Sequence, residues 1–260
     1  MYKIITITNK EYIEPAYVCL SSFFKYNDLE VDLYSTSKLP DKFNFKNLNI
    51  HYVEYPEIPD IKTDLNCLKQ VSLRIKLFDE IKSDYILSFD TDGYFKGSIK
   101  DILKDYKESF IGCKDVINQF YPHINCGFMI LNKNNYSLLY NKYEEFLYTK
   151  EHNILEQSFL NYYFRKSKYI LEQKYNLRVG KTISENPIFV HFATDLKPFK
   201  NTCNDIFDFI EFKHSKYYFE YYDLMNSLNV SNEFKNKCNI VLPTINKLKE
   251  LEIKFYGKNY

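Results

Sequence analysis

Apolar and polar residues alternate in blocks along the first two thirds of the chain. Tyr2 to Thr8 is a β-branched run that reads as a strand. A helix carrying Val18, Leu20, Phe23 and Phe24 follows, with Pro15 in its first turn, where a missing N–H is harmless. Val31 to Ser35 and Asn49 to Val53 supply two more strand-like runs. Beyond the breaks at Pro56 and Pro59, Leu65, Leu68, Val71, Leu73, Ile75, Leu77, Phe78 and Ile81 give one long helix a broad apolar face. Tyr85-Ile86-Leu87-Ser88-Phe89 is almost unbroken in its hydrophobicity, the pattern of a central strand covered on both faces. Cys126 to Leu131 reads as a second buried strand, Asn134 to Tyr148 and Glu156 to Phe164 as helices, and Ile188 to Phe192 as a late strand. From about Tyr217 the pattern is helical and weaker. This alternation predicts an α/β fold, a single Rossmann-like mixed sheet flanked by helices. Residues 1–215 form its main domain and 216–260 a helical appendix packed on the same domain.

Composition narrows the class. With 260 residues, 45% hydrophobic and 27% charged, the chain is that of a globular domain large enough to be stable by packing alone. Lys and Arg (35) balance Asp and Glu (34), so no chain-wide field favours nucleic acid, and an anionic ligand needs a local site. No apolar run reaches the roughly 20 residues of a transmembrane segment. Cys19, Cys67, Cys113, Cys126, Cys203 and Cys238 contain no C-x-x-C pair and read as free core thiols of a reducing compartment. Cytoplasmic location is the expectation. Peripheral contact with anionic lipid would run through the tail lysines Lys235, Lys237, Lys247, Lys249, Lys254 and Lys258, but Glu250 and Glu252 dilute that patch toward a solvated helix face. The 25 Tyr and 22 Phe, with no Trp and much Asn, Lys and Ile, follow an AT-rich residue bias and say little about carbohydrate stacking. Oligomeric state has no signature here.

Candidate chemistry starts where the central strand ends, at Asp90-Thr91-Asp92-Gly93. Ligands of open α/β sheets gather at the carboxyl ends of strands, and two carboxylates there can face one hard divalent cation. Two metal-using classes place D-x-D at such a point. Phosphatases of the haloacid dehalogenase type put it on the first strand and add a later acidic pair. Here it follows the fourth strand-like run, and no such pair stands at a later strand end. Nucleotide-sugar transferases instead ask for a nucleotide pocket at the first strand, a basic residue ahead of the D-x-D, and a late His and Lys. The chain offers Thr8-Asn9-Lys10-Glu11-Tyr12, then Arg74, Asp90-Thr91-Asp92, Asn125-Cys126-Gly127, Glu156-Gln157 and finally His191 with Lys197-Pro198-Phe199, in that order. A dinucleotide-binding loop is excluded, because the first glycine is Gly93.

This series resembles glycosyltransferase family 8, the retaining GT-A group that includes glycogenin and bacterial lipopolysaccharide galactosyl- and glucosyltransferases, over about residues 2 to 200. The resemblance implies a metal-dependent hexosyltransferase with the GT-A nucleotide-diphospho-sugar transferase fold, using a UDP-hexose donor. It implies that Asp90, Asp92 and His191 hold Mn2+ or Mg2+ against the donor diphosphate, with Lys197 neutralising the leaving group. Thr8, Asn9 and Tyr12 would hold the nucleoside, and Arg74, Thr91, Asn125, Cys126 and Gly127 the rest of the donor, with Asp115 a further sugar-hydroxyl candidate. Glu156 and Gln157 would lie beside the anomeric carbon, Gln157 as a polar group with no nucleophilic role assigned. The acceptor is a glycan, a lipid-linked saccharide or a protein hydroxyl. The chain departs from the family at Thr194, where Gly is usual, at Glu156 for Asp, and at Phe199 for Trp. Blander readings stand beside these: His191 as a core histidine, Arg74 as a structural ion pair, Asn9 and Tyr12 as a cap on the first helix. For the whole chain the alternatives are a non-catalytic nucleotide-sugar-binding or partner protein, and the phosphatase.

Overall fold

The computed structural model describes residues 1–58, 65–115, 123–149, 155–202 and 214–257; Pro59, the Cys67 side chain, Cys203 and Lys258 lie outside what it describes. Along these residues the strands are β1 (Tyr2–Thr8), β2 (Val31–Ser35), β3 (Leu48–Tyr52), β4 (Tyr85–Phe89), β5 (Gly93–Phe95), β6 (Phe110–Lys114), β7 (Ile124–Asn132), β8 (Lys168–Leu171), β9 (Leu177–Arg178), β10 (Phe189–His191), β11 (Leu196–Lys197) and β12 (Lys200–Asn201). The helices are α1 (Ile13–Tyr26), α2 (Leu65–Glu80), α3 (Leu139–Thr149), α4 (Leu155–Tyr163), α5 (Ser215–Asn226) and α6 (Asn232–Tyr256).

The main sheet runs β3-β2-β1-β4-β7-β6-β8. β3, β2, β1 and β4 are parallel; β7 is antiparallel to both β4 and β6, and β8 is parallel to β6. Because side chains alternate along a strand, Ile4 and Leu87 join the core under α1 with Ala16, Leu20 and Phe23. Ile5 and Ile86 face the other way, into a core with Ile75 and Phe78 of α2, Tyr143 and Phe146 of α3, and Phe159 and Leu160 of α4. Helices on both faces explain why β4 has no polar side. Phe23 stacks on Phe89 at 5.5 Å between centroids and meets Phe95 edge-on at 5.0 Å; truncating such a residue to Ala costs about 3–5 kcal/mol.

A small sheet in the order β5-β10-β9 carries the third core. There Tyr94, Leu177 and Val190 pack with Tyr218 and Tyr221 of α5, Val241 and Ile245 of α6, and Val18 of α1. The two C-terminal helices therefore bury their apolar faces on the small sheet and on α1. Cys19, Cys113, Cys126 and Cys238 are free and buried.

The sheet order places one edge at a functional position. After β1 the chain builds β2 and β3 on one side and then crosses to β4 on the other, so the carboxyl ends of β1 and β4 flank a switch point, where open sheets bind ligands. The antiparallel β7 begins at that same edge, and β6 ends there.

One helix starts later than the Asn134–Tyr148 pattern predicts. Asn132 caps a short 3-10 turn over Lys133–Asn135, accepting from Asn134 N–H at 3.2 Å, and Tyr136 is extended, its hydroxyl on Phe78 O at 3.1 Å. Leu138 then takes a left-handed φ of 54°, and α3 begins at Leu139. Strands β6 and β8, and the short strands of the small sheets, carry too little periodicity to be read from the sequence.

Candidate functional site

At the switch point, Ile7, Thr8 and Asn9 from the end of β1 face Asp90, Thr91 and Asp92 from the end of β4, with Tyr12, Gln70 and Arg74 closing a cleft of about 140 Å3. Asn9 also caps the turn ahead of α1, its Oδ1 accepting from Glu11 N–H at 3.0 Å and Tyr12 N–H at 3.2 Å. The capping reading of Asn9 is thus correct, and it leaves the Asn9 amide nitrogen beside the cleft. Tyr12 stands edge-on to Phe199 at 5.8 Å.

The two aspartates meet His191 here. Arg74 pairs with Asp90 Oδ1, and Lys197 with Asp92 Oδ2, so each cation occupies one oxygen of a carboxylate and leaves the other. Those remaining oxygens lie 3.5 Å (Asp90 Oδ2) and 3.2 Å (Asp92 Oδ1) from His191 Nε2. Ligand atoms of the three residues fall within 4.8 Å of one another. Asp92 Oδ1 is buried without a hydrogen bond. Burial raises the Asp92 pKa, but Lys197 and His191 outweigh it and hold the carboxyl well below the usual range; Arg74 and His191 do the same for Asp90. On His191, burial pulls the pKa down while Asp92 and Asp90 push it further up, so the ring favours a proton between the carboxylates. A group of this kind, two hard oxygens and one imidazole nitrogen, can hold a divalent cation in place of that proton.

Two glycines make room for the ring. A Cβ at position 127 would stand 1.9 Å from His191 Cε1, and one at position 93, opposite His191 on β5, would stand 2.4 Å from Val190 O. Gly127 O also accepts from Asp90 N–H at 2.9 Å, fixing the first aspartate against β7.

A chain of hydrogen bonds runs behind His191, and backbone donors fix its direction. Gly127 N–H donates to Asn125 Oδ1 at 3.0 Å, so Asn125 Nδ2 is the donor to Gln157 Oε1 at 3.0 Å, which also lies 3.4 Å from Cys126 N–H. Gln157 Nε2 then donates to Asp115, which Arg178 holds in a buried ion pair. On the other side Asn176 Nδ2 donates to Asn125 Oδ1 at 2.9 Å, leaving Asn176 Oδ1 to accept from His191 Nδ1 at 3.1 Å. With its proton held on Nδ1, the imidazole presents Nε2 to Asp90 and Asp92.

Every site residue expected from the sequence lies at this edge. Glu156 Oε2 is 3.4 Å from Arg74 Nη1, and its Oε1 is buried without a partner. Burial pushes the Glu156 carboxyl up to about 7, against the pull of Arg74. Arg74 therefore serves as an ion-pair centre and as a wall of the cleft at once. Cys126 acts through its backbone, since its carbonyl accepts from Arg74 Nη1 at 3.2 Å while burial keeps the thiol protonated. Lys197 also donates to Phe192 O at 2.9 Å. Thr194 sits in a tight turn with its hydroxyl on Leu196 O at 3.0 Å, and its φ is not left-handed, so the site of the family's Gly accepts a Cβ here. Asn176 and Arg178 were not foreseen. Asn176 lies in an irregular turn without periodicity; Arg178 had one signal, as one of three arginines in a chain that otherwise uses Lys.

No protein-family model and no curated protein matches the chain. Among solved structures, the galactosyltransferase LgtC, in complex with donor and acceptor sugar analogs, superposes with a TM-score of 0.67 at 14% identity, over 91% of this chain and 100% of that one. The fold is that of the GT-A glycosyltransferases. The glycosyltransferase GlyE of Streptococcus pneumoniae TIGR4 shares this GT-A fold with a TM-score of 0.63 at 14% identity, over 87% of this chain and 63% of that one. For the apo bifunctional glycosyltransferase WbbM the values are 0.62 and 14%, over 81% and 49%. Among the described residues no helix is long and apolar enough to cross a membrane.

Proposed function

We propose that this chain is a metal-dependent retaining glycosyltransferase of the family 8 type, transferring a hexose from UDP-hexose to a hydroxyl of a glycan, a lipid-linked saccharide or a protein. The observation that carries the reading is the convergence of Asp90 Oδ2, Asp92 Oδ1 and His191 Nε2 at the carboxyl edge of a GT-A sheet. The residues fit a hard divalent cation: Asp92 Oδ1 is orphaned, and Asn176 aims the His191 nitrogen at the same point. Bound there, Mn2+ or Mg2+ supplies positive charge to the donor diphosphate as the sugar–phosphate bond breaks.

The chain's own groups do the rest. Thr8, Asn9 and Tyr12 receive the nucleoside where β1 ends. Lys197, whose pKa burial lowers but Asp92 raises further, stays charged and meets the developing diphosphate charge. Arg74 anchors Asp90 and Glu156 on the sugar side of the cleft. Gln157, gripped by Asp115, Asn125 and Cys126, presents a fixed amide near the reacting carbon, a geometry that suits positioning better than attack.

The test is UDP release over a panel of UDP- and GDP-sugars with Mn2+, beside Asp92→Asn and an EDTA control, with the anomer of the product read by NMR. One UDP-hexose consumed, lost in both controls and with configuration kept, supports the reading. Hydrolysis of an aryl phosphate in its place would return the phosphatase, and UDP binding without turnover the partner-protein alternative.

A further inference from the structure

A second cavity, of about 550 Å3, opens on the outer side of α4. Its size is that of a small-molecule site. Ser158, Tyr162 and Arg165 line it from positions separated by four and three residues, one face of α4 and its C-terminal turn, while Gln157 lies on the adjoining face toward the cleft. His123, Lys166 and Lys168 complete the charge, and no carboxylate lines the cavity. Among the described residues neither Arg165 nor Lys166 enters an ion pair. In a chain whose charges otherwise balance, four basic side chains around one cavity are a local excess.

The cavity is joined to the candidate active site. Asn161 in its wall donates to both Gln157 O and Ile124 O at 2.8 Å, and accepts from Lys168 Nζ at 2.9 Å. His123 O accepts from Asp115 N–H, so the same backbone that holds Asp115 toward Gln157 places His123 on the cavity. The Tyr162 ring is 47% exposed, with the Arg165 guanidinium 4.9 Å from its centroid, which gives the wall an aromatic face beside the cations. Burial and the neighbouring Lys168 lower the His123 pKa, consistent with positive charge that lacks a counter-ion.

We infer that this cavity is an acceptor subsite that takes a phosphorylated saccharide, with the phosphate on Arg165, Lys166, Lys168 and His123 and a sugar face on Tyr162. The inference rests on the transferase reading, because it assigns the cavity to the acceptor's side of Gln157. Arg and Lys together suit a phosphomonoester, the first as a two-pronged donor and the second as a point charge.

Calorimetry with glucose 6-phosphate, glucose and inorganic phosphate tests it, with and without UDP and Mn2+, on the wild type, on Arg165→Gln/Lys166→Gln and on Asp92→Asn. Glucose 6-phosphate is expected to bind more tightly than either other probe. The double variant should weaken it by at least about tenfold, from the loss of two charged hydrogen bonds, while Asp92→Asn leaves it unchanged. Both substituted positions are exposed, so folding is preserved and a thermal melt confirms it. Equal binding of glucose, binding of phosphate alone as tight as the sugar phosphate, full affinity in the double variant, or absence of binding would each overturn the subsite. So would a loss confined to Asp92→Asn, which would put the probe in the donor cleft. UDP binding, measured on the same samples, reports separately on the transferase reading.

Discussion

Gly127→Ala is the sharpest perturbation of the candidate metal group, because it adds one methyl and no charge. The new Cβ would stand 1.9 Å from His191 Cε1, 2.3 Å from Nδ1 and 2.8 Å from Nε2, whereas ordinary contact begins near 3.4 Å, so the ring must retreat by about 1.5 Å. His191 is 2% exposed and flanked by Phe189, leaving little space to retreat into. Its bond to Asn176 at 3.1 Å breaks, and Nε2 leaves the 3.2 Å and 3.5 Å contacts with Asp92 and Asp90. Overpacking and one unsatisfied buried amide together should cost about 2–4 kcal/mol of stability. Mn2+ affinity should fall by more than the roughly 10- to 100-fold typical of losing an outer-shell partner, since a ligand itself is displaced. Mn2+ binding is read by electron paramagnetic resonance or calorimetry, and stability by urea unfolding. Gly112→Ala is the control: its Cβ meets the Ile124 Cγ2 methyl at 2.6 Å and Phe128 O at 3.1 Å, away from His191. It should lose stability and keep Mn2+ affinity. A folded Gly127→Ala protein that binds Mn2+ as the wild type does would refute His191 as a ligand.

Further outcomes are expected elsewhere. Arg74→Ala leaves Asp90 and Glu156 facing each other without their cation, and should cost about 3–5 kcal/mol at pH 8; the loss should shrink below pH 7, where Glu156, raised to about 7, takes up a proton. Urea denaturation at pH 8 and pH 6 checks this, and an equal loss at both would contradict it. His214 is pushed down to about 4 by burial and by Lys216, and its Nδ1 accepts from Gly180 N–H at 2.7 Å. Folding thus prefers the neutral ring: its contribution is complete above about pH 6.5 and is lost as the pH falls toward 4, about 3 kcal/mol in all. His214→Gln should flatten that part of the stability–pH curve, and an unchanged slope would rule His214 out as its source.

Much of the fold could be read from residue pattern because the signals are local. β1, β2 and β4 have the bounds that their β-branched and apolar runs predict, and β4 shows no alternation because α1 covers one face of the sheet and α2 to α4 the other. Asp90, Asp92 and His191 stood out because each ends a buried strand. Asn176 and Arg178 did not, since their partners Asn125, His191 and Asp115 are remote in sequence and the turn between β8 and β9 has no period. The late start of α3 depends on Asn132 and Leu138, whose capping and left-handed backbone leave no mark on hydrophobic spacing. Asn9 shows how one residue satisfies two readings, capping a turn with its oxygen at the rim of the cleft.

The most direct measurement of the central claim is a calorimetric titration of UDP into the metal-free protein, repeated with saturating Mn2+ and again on Asp92→Asn. With Asp90, Asp92 and His191 as a cation-bridged diphosphate site, UDP should bind tightly only when Mn2+ is present, and Asp92→Asn should abolish that dependence. UDP binding of equal strength with and without Mn2+, or Mn2+-dependent binding that survives Asp92→Asn, would contradict it.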